Sequence, residues 1–166
     1  MNFTAKSFQL KEKLRKQYDQ AIELYMHDRS RPDELLISLR KLVDRILKEV
    51  AADNHLPEHA CLCAVGGYGR GELYPSSDID LLILIKESPT LAEQELLEVF
   101  IAALWDLGLE VGHSVRTITE CLEEARKDIT IETGLLESRF ILGNKSNFHE
   151  LQKRFKKQLN PSSFYR

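Results

Sequence analysis

Residues 60–85 read Ala60-Cys61-Leu62-Cys63-Ala64-Val65-Gly66-Gly67-Tyr68-Gly69-Arg70-Gly71-Glu72-Leu73-Tyr74-Pro75-Ser76-Ser77-Asp78-Ile79-Asp80-Leu81-Leu82-Ile83-Leu84-Ile85. Two short apolar runs, Ala60 to Val65 and Leu81 to Ile85, bracket the stretch and read as strands. The segment between them is too glycine-dense for regular helix or strand, with Arg70 to Leu73 as the place for a single helical turn. Asp78 and Asp80 stand one residue apart at the entry to the second strand. A strand's period of two sends both carboxylates to one face and Ile79 and Leu81 to the other.

Two anions beside so apolar a run are costly unless a cation or a strong set of donors compensates them. Magnesium suits the pair, because it takes carboxylate oxygens together with phosphate oxygens and water. A lone D-x-D is more often a turn and a cap. The preceding Gly66-Gly67 changes that balance, since backbone N–H groups without side chains in the way can approach a triphosphate. The loop matches neither the P-loop pattern nor the dinucleotide fingerprint.

Outward from this unit, apolar residues recur at helical spacing from about Ser7 to His27 and again after Pro32, from Leu35 to Val50. Asp28 to Pro32 breaks the two, with the second helix opening at Ser30 or Arg31, so an antiparallel helical pair is expected. Downstream the pattern predicts a helix over Leu91–Leu107 stopped by Gly108 and a strand over Leu109–Thr117. A capped helix starting at Thr119, one helix from Ile129 to Leu142, and a basic amphipathic helix over Phe148–Leu159 follow.

The chain has 166 residues and a formal net charge of -3 with pI near 6.0, so composition does not point to nucleic acid as a partner, although a local basic patch is compatible with it. No segment has the apolar length of a signal peptide core or a membrane span, and a cytoplasmic protein without a membrane partner is expected. Cys61 and Cys63 sit in an apolar run and, with Cys121, read as free structural thiols rather than zinc ligands or disulfides.

Gly66-Gly67 followed by Asp78-Ile79-Asp80 within a strand–turn–strand unit resembles the DNA polymerase β-type nucleotidyltransferase superfamily. The run Gly66 to Leu82, then Gly108 to Thr117, Glu120-Cys121 and Leu135-Leu136-Glu137-Ser138-Arg139, is similar to the amino-terminal domain of the bifunctional PII uridylyltransferase/uridylyl-removing enzymes of bacterial nitrogen control. The resemblance covers most of the chain and weakens before Ala60. It implies an α+β, polymerase β-like fold: a small mixed sheet with the glycine loop and D-x-D on one side, helices packed against the other, and an N-terminal helical pair. The expected division is 1–55 as a helical extension, 56–145 as the nucleotidyltransferase core and 146–166 as a C-terminal helix beginning a truncated following region.

The function so implied is magnesium-dependent transfer of UMP from UTP to a tyrosine of the PII signal protein, with release of pyrophosphate. Asp78 and Asp80 are the catalytic residues and metal ligands, while Gly66, Gly67 and Arg70 bind nucleotide. Arg70 has a second reading, in which it pairs with Glu72 and fixes the loop. A third carboxylate, common in the superfamily, has no clear position; Glu110 and His113 are the candidates offered by the third strand, and Arg116 is a candidate phosphate contact or an exposed strand residue. Tyr68 and Tyr74 are read either as base-stacking or as packing residues, and Glu137 and Arg139 as loop supports on opposite sides of one helix. The chain is too short for the hydrolase and glutamine-sensing domains of full-length relatives and is expected to be a fragment. The rival readings are a nucleotide- or PII-binding fragment without turnover, and a nucleotidyltransferase acting on a small molecule or an RNA end.

Overall fold

The computed structural model describes residues 3–28, 32–75 and 77–160. The predicted helix opening at Ser30 or Arg31 and the last six residues of the predicted C-terminal region lie outside them. Two long helices come first, α1 (Phe3–His27) and α2 (Pro32–Asp53). Pro32 occupies the first helical position of α2, with Asp33 and Glu34 in the first turn to complement the helix dipole. The apolar stripe from Leu35 to Val50 is buried, so the periodicity that predicted the helix is the face it packs with.

Strand β1 (Cys61–Ala64) leads into a one-turn helix, α3 (Gly66–Gly69), and the chain returns along β2 (Ile79–Ile85). Helix α4 (Leu91–Asp106) is fixed at its start by a reciprocal capping box between Thr90 and Glu93, and Gly108 follows it at φ +76°. Then come β3 (Val111–Thr117), α5 (Ile118–Lys127), α6 (Ile129–Leu136), β4 (Arg139–Gly143) and α7 (Lys145–Leu159). The sheet order is β3-β2-β1-β4, with β2 and β3 parallel and the other pairs antiparallel.

After Asp80, β2 is apolar from Leu81 to Ile85 because both of its faces are covered. Ile79, Leu81, Ile83 and Ile85 join the core beneath α1, α2 and α4, whereas Leu82 and Leu84 join Cys61 and Cys63 beneath α5 and α7. This corrects the expectation that helices cover one face alone. The three cysteines are free and buried, as their apolar setting predicted.

Further corrections concern boundaries. The helix expected from Ile129 to Leu142 ends at Leu136, and its second half is β4, paired with β1 from Ala64↔Arg139 to Cys61↔Gly143 across an irregularity at Leu62/Cys63. The open edge of β1 takes those residues' hydrogen bonds, which outweighs a weak local preference. Glu137 and Arg139 therefore do not share a helix. Strand β3 starts at Val111 rather than Leu109, α5 is capped by Thr117 rather than beginning at Thr119, and α7 is capped by Asn144 and starts before Phe148. Within the described residues no helix is long and apolar enough to cross a membrane.

Candidate active site

The chain leaves β1 through Val65, whose N–H donates to the Asp80 carbonyl at 3.0 Å, and swings into the turn at Gly66 with φ +62°. A left-handed φ is cheap only for glycine. Backbone bonds then close the turn: Gly69 N–H to Val65 O at 3.1 Å, Arg70 N–H to Gly66 O at 3.0 Å, and Glu72 N–H to Gly67 O at 3.2 Å. The helical turn thus begins at Gly66, earlier than the Arg70–Leu73 turn expected from sequence, because the left-handed residue folds the chain back at once.

Asp80 stands where β1 ends and β3 begins, and glycine lines it on both sides. A Cβ on Gly66 would come within 3.4 Å of its Oδ2, and a Cβ on Gly112, its register partner on β3, within 2.9 Å of its Oδ1. Partial burial, and after it the charge of Asp78, push the Asp80 carboxyl above the usual range. Among the described residues no lysine or arginine forms an ion pair with either aspartate. The donor set fits a hard divalent cation, which takes carboxylate oxygens and would relieve the repulsion between the pair. No group of three or more His, Cys, Asp and Glu side chains converges on a metal-sized point among those residues. Glu110 instead borders a groove with Lys11 and Arg15 of α1, whereas His113 borders the recess beside Asp80, with its ring 5.9 Å from that of Trp105.

The glycine turn is held from behind by residues that sequence reading did not connect. Arg139 donates from Nη1 to Asp44 Oδ2 at 2.7 Å and from Nη2 to the Tyr68 carbonyl at 3.1 Å. The Tyr68 hydroxyl donates to Asp44 Oδ1, and its ring lies 5.0 Å below the Arg139 guanidinium. Tyr68 is therefore a packing residue, 1% exposed, while Tyr74 is exposed. Arg70 Nη1 bonds Glu137 Oε2 at 2.7 Å and its Nε lies 3.6 Å from Glu72 Oε2, so the predicted pairing with Glu72 is present beside a shorter one. The same guanidinium overhangs the turn, since a Cβ on Gly67 would meet Arg70 Nη2 at 3.4 Å. Gly69 presses so closely on the Glu137 carbonyl that any Cβ there would overlap it.

Beside Asp80 opens a cavity of about 390 Å³, walled by the sheet face on one side and by α6 on the other, with Gly66, Ser114, Arg116 and Thr130 among its lining. The pieces assembled at this end of the sheet are two aspartates that pair with no lysine or arginine among the described residues, a tight glycine turn, and a largely apolar recess large enough for a small ligand.

The model of the nucleotidyltransferase domain matches residues 43–136. The chain is 52% identical over 135 residues to a bifunctional uridylyltransferase/uridylyl-removing enzyme of Bordetella parapertussis, covering 81% of this chain and 16% of that protein. A protein of the same description from Chromobacterium violaceum is 44% identical over 156 residues, 93% of this chain and 18% of the relative. The chain thus spans less than a fifth of the length of these relatives. A solved toxin-antitoxin structure with AMP-PNP superposes with a TM-score of 0.41 at 15% identity, over 69% of this chain and 88% of that one, too slight a likeness to carry an argument. With a family match over more than half its length, running from α2 through the glycine turn and the D-x-D to the end of α6, the chain belongs to the nucleotidyltransferase domain family.

Proposed function

We propose that this chain transfers UMP from UTP to a tyrosine of the PII signal protein, with magnesium, in the cytoplasm of a bacterium. The observation that carries the reading is the aspartate pair, which forms no ion pair with a lysine or arginine among the described residues, with Asp80 flanked by two glycines. Asp78 and Asp80 would hold the magnesium, which supplies positive charge against the α-phosphate and the departing pyrophosphate. Gly66 and Gly67 present their N–H groups to the β- and γ-phosphates, and Arg70, poised over Gly67, adds a guanidinium to the same chain of phosphates.

The tyrosine oxygen forms a bond to the α-phosphorus, the bond to the bridging oxygen breaks, pyrophosphate leaves with that electron pair, and the phenolic proton passes to solvent. Such a reaction asks the protein for position and electrostatics more than for covalent chemistry. Relatives named as uridylyltransferases support transfer of a uridylyl group. Free, buried cysteines suit a reducing compartment.

A second reading has its own observation: no third acidic side chain joins Asp78 and Asp80 among the described residues, which suits a fragment that binds nucleotide or PII without turnover. Incubating the chain with PII, magnesium and each nucleoside triphosphate, followed by intact-mass analysis, separates the two. A gain of one UMP on PII that Asp80→Asn abolishes is expected. No gain with any triphosphate would favour the binding fragment.

A further inference from the structure

Arg116 occupies a position that the pairing of β2 with β3 defines. The parallel register sets Asp80 against Gly112, Leu82 against Ser114 and Leu84 against Arg116. Side chains at paired positions leave a sheet on the same face, so Arg116 shares the face of Asp80 and borders the same cavity. Asp80 and Gly66 border that cavity where the strands begin, and Arg116 borders it near the end of β3. Between them the walls are largely apolar, with Val65 and Leu82 on the sheet side and Ile131 and Leu135 on the helical side, alongside Ser114 of β3 and Thr130 of α6.

The guanidinium of Arg116 differs from those of Arg70 and Arg139. They have carboxylate partners at 2.7 Å, whereas Arg116 is half-buried and forms no ion pair or hydrogen bond with a described residue. A guanidinium donates through five N–H groups and accepts nothing. Its nitrogens are not among the buried, partnerless side-chain atoms of the described residues, so the guanidinium reaches water with its stem partly covered and is open to a ligand that brings an acceptor.

Geometry chooses which part of the ligand that is. Arg116 lies four residue steps beyond Gly112 along β3, roughly 13 Å of backbone at 3.3 Å per residue, and an arginine side chain spans part of that distance. With the phosphates drawn to the glycine turn and the α-phosphate at Asp80, the group left to enter the recess is the nucleoside. Apolar walls suit the faces of a planar ring, and a donor-only side chain suits a ring edge that carries carbonyl oxygen.

We infer that Arg116 is a specificity-determining residue, which binds the carbonyl edge of the nucleobase and so favours uracil over cytosine. The inference rests on the nucleotidyl-transfer reading above. Uracil and cytosine have rings of one size and differ at position 4, where uracil presents an accepting oxygen and cytosine a donating amino group. Against a guanidinium the first forms a hydrogen bond and the second leaves two donors facing each other. Guanine, with acceptors on the corresponding edge, would be preferred to adenine for the same reason.

The test is calorimetric binding of UTP, CTP and inorganic pyrophosphate, each with magnesium, to the wild-type chain and to Arg116→Met and Arg116→Lys, with the melting temperature recorded for each. The wild type should bind UTP more tightly than CTP, by roughly tenfold to a hundredfold, the range for one well-placed base contact. Arg116→Met should lose most of that ratio while pyrophosphate affinity stays unchanged, and Arg116→Lys should retain part of it. Equal losses for UTP, CTP and pyrophosphate would make Arg116 a phosphate ligand and overturn the inference. Equal wild-type affinity for UTP and CTP overturns it without any variant. A wild-type chain that binds neither triphosphate overturns both this inference and the reading beneath it.

Discussion

Asp44 and Asp80 flank the same glycine turn from opposite sides, one in the long helix α2 and one in β2. Asp44 accepts two hydrogen bonds from Arg139, at 2.7 and 3.2 Å, and a third from the Tyr68 hydroxyl. Asp80 has no such partner, and its carboxyl is pushed upward by burial and by Asp78. The first carboxylate stabilises the fold because three hydrogen bonds, two of them from a guanidinium, compensate its partial burial. The second is a local cost, of the kind found where a site awaits a ligand with the opposite charge. The fold thus gives different surroundings to two aspartates that a charge count would treat alike.

The largest effect should come from breaking the uncompensated side. Asp80→Asn is expected to lower UMP transfer by roughly a hundredfold to ten-thousandfold, the several kcal/mol that metal-assisted charge stabilisation supplies. Its melting temperature in chelator should not fall, and transfer assays beside thermal melts check both halves. Asp44→Ala should behave in the reverse order. It strands the Arg139 guanidinium and the Tyr68 hydroxyl, and about 2–4 kcal/mol of stability should be lost, read by urea unfolding, with activity falling as a consequence. Gly69→Ala should cost about 1–3 kcal/mol, because its methyl group overlaps the Glu137 carbonyl and the connection between α6 and β4 must move.

The smallest effect concerns pH. The folded-state pKa of Asp80 is raised, so its contribution favours folding fully below the unfolded value, near 3.8, and is lost as pH rises through the higher folded value. In chelator, wild type should therefore lose ground to Asp80→Asn between acidic and neutral pH. Magnesium at neutral pH should raise the wild-type melting temperature and leave that of the variant nearly unchanged.

The two strands around the glycine turn were legible because their signals are local: a short apolar run marks each strand, and glycine content marks the turn. The helices α2 and α4 were legible for the same reason, through apolar spacing and the Thr90 cap. The support behind the turn was not, because Asp44 and Arg139 are 95 residues apart and neither carries a local signal. Strand β4 was hidden in a sequence that continues a helical pattern, and only the open edge of β1 decides it. Arg116 was read as one of two things, a phosphate contact or an exposed strand residue. Its place along the cavity follows from the β2–β3 register, which no single segment specifies.

The central claim, that Asp78 and Asp80 form a site for a metal-bound nucleotide, is tested most directly by titrating manganese with UTP into the chain and into the Asp78→Asn/Asp80→Asn double variant, with bound manganese followed by electron paramagnetic resonance. The account predicts a saturable bound signal that depends on UTP and vanishes in the double variant. Equal binding by the two proteins would contradict it.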